Sequence, residues 1–546
     1  TQLNGGIVSN IIPKGGIIDL TNTSVRGNNL RGQINIDKEW QRHNLAVMVG
    51  EEIRSVGTLS RLERTYGFNS ETLSTSAVDY RSPYPNYVTK SNSVIPFVNS
   101  FISTQYNFLS FFSNGAYTFD GKYTFSASVR RDASNLFGLE TNDKWTPLWS
   151  AGLSWNIARE TFFITNFMDE LKLRATYGFS GNVDPSKSAS TTLSYLGNSI
   201  FTNSPTAQVA NFANPDLRWE KVRTVNLGLN FSFFKRRVWG SVDVFEKNAT
   251  DLYAVVPIDY SAGLNISTIT KNVAAMRARG VDLELNTNNF VGRFSWISTL
   301  NLNFYKDKVT NYYLTRGSAS RFVSNNRVPV EGYPVWSSFG YKWAGLDANG
   351  NPQGYLNGAI SQNYSSINGT GSQISDLSYL GPRMPNTFGS LGNTFSYQNL
   401  SLSIRMTYGF GHYIRRQSIN YSTLMTLGYG SADYANRWKS QGDENITNVP
   451  SVIYPLVAAR DDFYNGSDIH LLKADFLRIQ YITLNYQIPS RYFRSFGLKN
   501  VNIYANLNNV GVIWRANKFG IDPEAVFTNQ QMPNPVTVSG GLKIGF

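Results

Sequence analysis

Three groups of residues in this chain have the types and spacing to do chemistry. In "DANGNPQG" (347–354), Asp347, Asn349 and Asn351 stand at the i, i+2, i+4 spacing that opens an oxygen-lined calcium loop. The acid that closes such a loop at its twelfth position is missing, because Gly358 stands there, and an Asn-Gly turn accounts for the same letters. Paired acids occur at Asp443-Glu444 and Asp461-Asp462, and two carboxylates are the equipment of glycoside hydrolysis. Adjacent side chains of an extended chain point apart, so neither pair reads as an enzyme's acid and base, and no catalytic residue is assigned. The third group is aromatic: Trp336, Phe339, Tyr341, Trp343 and Tyr355 gather among small residues. Of these, Trp336, Tyr341, Trp343 and Tyr355 are the candidate ligand-binding set, since such rings stack on sugar faces or grip peptide side chains. The alternative is that they pack their own loop together.

Other chemistries are poorly supplied. The chain has no cysteine, which excludes disulfides, thiolate metal sites and a thiol nucleophile, and its three histidines, His43, His412 and His470, are scattered. The net charge of +13 comes from dispersed basic residues with no run of five, so nucleic acid is not the expected partner. An anionic ligand or the phosphates of lipopolysaccharide would suit that charge better.

The elements that must position these residues are strands. No run of 18 apolar residues exists, which leaves no transmembrane helix, and "TQLNGG" (1–6) is neither basic nor apolar enough for a signal peptide. Instead, apolar and polar letters alternate in stretches of about ten residues, the length a tilted strand needs to cross a bilayer. Val225, Leu227, Leu229, Phe231 and Phe233 oppose Asn226, Gly228, Asn230 and Ser232. Leu400, Leu402, Ile404, Met406, Tyr408 and Phe410 oppose Ser401, Ser403, Arg405, Thr407 and Gly409. Similar stretches predict fifteen strands, at 29–40, 44–57, 106–119, 122–135, 147–158, 169–180, 220–234, 237–249, 280–289, 293–308, 387–397, 400–411, 473–487, 500–511 and 537–546. Residues 1–28 are expected to be an extracellular loop segment.

Connections alternate as well. "FDGKY" (119–123), "FVGRF" (290–294) and "YQNL" (397–400) are tight turns, whereas 58–100, 181–217, 247–279, 309–385 and 412–472 are long. Short turns on one side and long loops on the other are the asymmetry of an outer-membrane antiparallel β-barrel, and rings at strand ends such as Tyr123, Trp149, Phe233 and Trp296 suit its interfacial girdles. A soluble sandwich would not produce that asymmetry. In strand 473–487 the apolar phase slips from odd (Leu477, Ile479) to even (Ile482, Leu484, Tyr486), which predicts a β-bulge near Gln480 or Tyr481, or a rim above the membrane. An odd strand count is unusual for a bacterial barrel and predicts further strands upstream.

Several motifs, in order, resemble the SusC/RagA-type TonB-dependent transporters of Bacteroidetes outer membranes. They are "YTFDGKYTFSASVRRDASNLFG" (117–138), "LKLRATYGFSGN" (171–182), "NPDLRWEKVRTVNLGLNF" (214–231), "NVAAMRARGVDLEL" (272–285), "DFLRIQYITLNYQIP" (475–489), "NVNIYANLNNV" (500–510) and "GIDPE" (520–524). Ala278-Arg279-Gly280 stands where Asn-Lys-Gly is usual, and Asp132 to Asn135 replace a Ser-rich run. The resemblance implies a 22-stranded barrel of which residues 29–546 are the C-terminal part, with the plug domain and first strands outside this chain.

It also implies the activity and partners: active import of a glycan, oligosaccharide or oligopeptide, with a SusD-like surface lipoprotein and with TonB reached through an N-terminal region. A passive channel or surface-binding barrel is the alternative. Phe546, the terminal aromatic on an apolar phase, is implied to be the tag read by the barrel assembly machinery.

Overall fold

A computed structural model of the chain describes residues 2–4, 7–86, 91–136, 146–184, 186–187, 189–199, 202, 204–258, 261, 268–313, 318–323, 328–493, 497–527 and 534–545. Phe546, the expected assembly tag, lies outside the described residues.

Alternating chemistry produces one dominant antiparallel sheet. Fifteen strands follow one another in chain order: β1 (Gly16–Trp40), β2 (His43–Asn69), β3 (Ser100–Phe119), β4 (Tyr123–Ser134), β5 (Thr146–Asn156), β6 (Met168–Asn182), β7 (Glu220–Phe233), β8 (Val238–Pro257), β9 (Thr268–Phe290), β10 (Phe294–Asn311), β11 (Thr387–Tyr397), β12 (Leu400–Phe410), β13 (Phe476–Ile488), β14 (Asn500–Arg515) and β15 (Thr537–Gly545). A sixteenth, the short strand Ser74–Ser76, pairs with the end of β2. Each expected strand is present, and β1 and β15 are the two ends of the sheet, with no ladder between them among the described residues.

Several strands run well past the expected lengths. Residues 16–28, expected to be loop, belong to β1 and pair with β2 from Gly16↔Phe68 to Asn28↔Ser55. Sequence alternation missed them because a strand that rises clear of hydrocarbon has water on both faces and no reason to alternate.

The register sets the two faces. Leu173, Leu229, Val242, Leu283 and Leu302 form one continuous row across β6 to β10. The adjacent row, Arg174, Gly228, Asp243, Asp282 and Asn303, faces the other way. Exposure is inverted relative to a soluble sheet: Leu153 is 63% and Leu227 59% exposed on the apolar face, whereas Ser110 and Ser232 on the polar face are 3% and 2% exposed. An apolar face turned outward over this many strands is stable only against lipid.

The phase slip in β13 is resolved by an inserted residue. Ile479 pairs with Met406 and Tyr481 with Arg405, which leaves Gln480 opposite no partner on β12. The bulge keeps Leu477 and Ile479 on the same outer face as Ile482 and Leu484.

Candidate functional site

Two regions have the chemistry to meet a ligand: the polar face of the wall, and the loops above it. On the wall, short hydroxyls and amides from neighbouring strands bond to one another, as in Ser128 to Ser150 at 2.6 Å, Thr394 to Ser403 at 3.0 Å and Thr299 to Asn286 at 2.9 Å. Arg174 on β6 reaches over β7 to place Nη2 3.0 Å from both carboxylate oxygens of Asp243 on β8. Its Nε donates to Asn230 at 3.1 Å, and Asn226 donates to Asp243 at 2.9 Å. Gly228 lies under this bridge, where a Cβ would stand 2.6 Å from Asp243 and 2.7 Å from Arg174. Asp282 and Glu284 remain exposed beside it. Such a face offers hydrogen-bonding groups to water and polar solutes.

The loops between β10 and β11 and between β12 and β13 fold against each other. At their centre is Phe463, fully buried on helix α3 (Ala458–Gly466), which follows α1 (Tyr364–Asn368) and α2 (Tyr421–Leu427). Tyr341 stacks on Phe463 at 5.6 Å, Trp343 at 6.2 Å, and Tyr364 of α1 packs at 5.6 Å. Gly354 gives the ring room, since a Cβ there would lie 2.5 Å from it. Two cations, half-buried Arg415 and buried Arg460, stitch the loops together, mainly through carbonyls. Arg415 donates to Asn465 and Ser467, each at 3.0 Å, and to the Phe339 carbonyl, while Arg460 donates to the Gly350 carbonyl at 3.0 Å and to Ser451 at 3.1 Å. Burial pushes the Arg415 guanidinium down to about 10, still charged at neutral pH.

This core decides where the aromatic candidates stand. Tyr341, 2% exposed, is an interior residue, and Trp343 is half-buried against Phe463 and Tyr464. Trp336 and Tyr355 are half-buried on separate segments, so the four do not form one face. Phe463, Arg415 and Arg460 were not singled out in the sequence, although the run "AARDDFYNG" (458–466) joins apolar, aromatic and charged residues at helical spacing.

The other candidates have structural work. One oxygen of Asp347 accepts the backbone N–H groups of Asn349 at 2.9 Å and Asn351 at 2.7 Å, and the other accepts the side chains of Asn351 and Gln362 at 3.2 and 2.7 Å. That is a closed turn in which the loop's own N–H groups occupy the acid a calcium ion would need. Burial raises the Asp347 carboxyl, but these donors outweigh it and hold it below the usual range. Among the described residues no cluster of three or more His, Asp or Glu is placed to hold a metal. Asp461 accepts from the Ser422 N–H and hydroxyl at 2.8 Å each, at the start of α2, while Asp443 accepts the N–H groups of Lys439 and Ser440. His412 and His470 are buried in the loop core, and burial lowers them to about 4 and about 3.

Known proteins share this architecture. The profile of the family described as TonB dependent receptor-like, beta-barrel matches residues 8–355. TonB-dependent receptor P3 of Formosa agariphila is 25% identical over 517 residues, covering 90% of this chain and 48% of that protein. TonB-dependent receptor SusC of Bacteroides thetaiotaomicron is 25% identical over 470 residues, covering 81% and 44%. The solved RagAB peptide transporter has the same fold, with a TM-score of 0.75 at 22% identity over 97% of this chain and 56% of that one. The chain spans about half the length of the curated relatives it matches.

Proposed function

The chain belongs to the TonB-dependent receptor-like β-barrel family, an outer-membrane family, and from that premise we propose that it forms the wall and outer loops of an active nutrient importer. The observation that carries this reading is the pairing of an outward apolar row with an inward polar row across the same strands, under a loop domain with its own core. The wall crosses the membrane many times, with its short turns in the periplasm. Ligand is received at the loops and passes along the polar face. TonB supplies the energy from the inner membrane through an N-terminal region.

The cargo class is an oligosaccharide or oligopeptide, and a SusD-like lipoprotein sits over the loops as partner; the match to a TonB-dependent receptor named SusC and the fold shared with a solved peptide transporter are in keeping with that reading. Trp336, Trp343 and Tyr355 are the rings with surface left to touch cargo, and Tyr341 supports Trp343 from within the core. The test is uptake of labelled oligosaccharides and oligopeptides by cells that carry or lack the intact gene, with and without TonB. Gene- and TonB-dependent accumulation of one class is expected. Uptake that persists without TonB would make the protein a passive channel.

A further inference from the structure

We propose that the outer wall carries a binding site for the phosphorylated headgroup of an outer-leaflet glycolipid, built from Lys221 and Arg223 on β7, Arg277 and Arg279 on β9, and Lys306 and Lys308 on β10. This deepens the lipopolysaccharide contact suggested by the charge of the chain, and it rests on the outer-membrane placement proposed above.

The register places these residues outward. Val225, Glu246, Arg279 and Lys306 form one row, and Arg223, Asn248, Arg277 and Lys308 the next. Both continue the phase of Leu227, Val244, Val281 and Phe304, which is the lipid-facing phase. On β7, β9 and β10 the cations therefore begin two residues beyond the last outward apolar side chain, on the side of the long loops. Glu246 lies eight residues along from Val238 at the short turn, or about 20 Å up a strand rising about 3.3 Å per residue at a tilt near 40°. The Glu246 row thus lies just below the top of an apolar band about 25 Å tall, and the Arg277 and Lys308 row, two residues higher, reaches it, at the level of outer-leaflet headgroups.

Three of the six cations share one carboxylate, Glu246, which accepts from Arg279 at 2.7 Å and pairs with Arg277 and, at 3.8 Å, with Arg223. Asp251 stands 3.8 Å from Lys221 at the top. Lys306 and Lys308 are exposed and have no ion pair among the described residues. Exposed guanidinium and ammonium groups held here gain most from phosphate oxygens, which match the Arg fork in pairs. An apolar body is provided alongside. A groove of about 570 Å³ runs between the cations and the rings of Tyr177 and Phe179. Those rings meet each other edge to face at 5.6 Å and each packs against Trp149 at 5.6 Å. A phosphate beside a greasy wall is the chemistry of lipid A rather than of a soluble anion.

The test uses the intact outer-membrane protein in phosphatidylethanolamine discs doped with bisphosphorylated lipid A or with its dephosphorylated form, and reads retained lipid by native mass spectrometry. Preferential retention of the phosphorylated form is expected, falling roughly fivefold for each cation removed in the series Arg279→Gln, Arg277→Gln and Lys306→Gln. Arg279→Lys should keep most of it, and Lys235→Gln in a short turn should leave it unchanged. Equal retention of the two lipids, which requires no variant, would overturn the proposal. So would displacement by inorganic phosphate alone, which marks a free-anion site, or a second copy cross-linking through Arg279→Cys. Lipid retention is read without transport, so its failure leaves the import reading standing.

Discussion

Arg174 and Asp243 meet at 3.0 Å across an intervening strand, and they do so because the residue between them, Gly228, has no side chain. The glycine is the slot in which the ion pair lies. Gly228→Val should displace the guanidinium and cost about 1–3 kcal/mol of barrel stability, read as a lower temperature of gel-mobility transition. Combining it with Arg174→Gln should cost little more than either change alone. Full additivity would show that the two sites do not interact.

Leu402 and Ser403 test the two faces directly. Leu402 pairs with Phe395 and Leu484 on the outer face, and Ser403 bonds to Thr394 on the inner one. Leu402→Arg should destabilise the folded barrel by about 2–4 kcal/mol near the midplane, and Ser403→Arg by much less. Equal loss of folded protein for both would reverse or abolish the assignment of faces.

Phe463→Ala should open the loop domain while leaving the sheet folded. The ring is fully buried against Tyr341, Trp343 and Tyr364, so its removal should cost about 3–5 kcal/mol locally. Hydrogen exchange should rise together in 337–382 and 413–473 and stay unchanged in β6 to β9. A rise confined to one loop would mean that the two do not share a core.

Acid should loosen the same domain. His412 and His470 are held neutral, with folded values of about 4 and about 3 against an ordinary value near 6.5. An unfolded loop takes up protons first as pH falls below about 6.5, so their contribution is complete above that value and is lost progressively towards pH 4 and 3. Faster exchange of the loop amides at pH 4.5 than at pH 7, after correction for intrinsic rates, is the expected result. His470→Phe should flatten that dependence, since it keeps a ring against Tyr464, 4.6 Å from His470.

The wall was legible because lipid on one side and water on the other impose a period of two, and β7, β12 and β15 show it letter by letter. The upper parts of β1 and β2 were not, since "GIIDLTNTSVRGN" (16–28) has water on both faces and carries no alternation. The loop domain was least legible. Its contacts join Tyr341 to Phe463 and Phe339 to Arg415, over separations that no local pattern reports. Tyr341 was therefore grouped with ligand-facing rings when it is an interior one, and Asp347 resembled a cation ligand because turns and calcium loops draw on the same residues.

The unpaired residue at Gln480 bears on how this wall can change length by inheritance. Losing Ser403 from β12 would turn every later side chain of that strand to the opposite face, greasy to water and polar to lipid. Losing Gln480 would not: Ile479 would still point outward, Tyr481 inward and Ile482 outward, in one regular alternation. A one-codon deletion at this point of β13 thus keeps every side chain on its own face, where a few residues away it would reverse them.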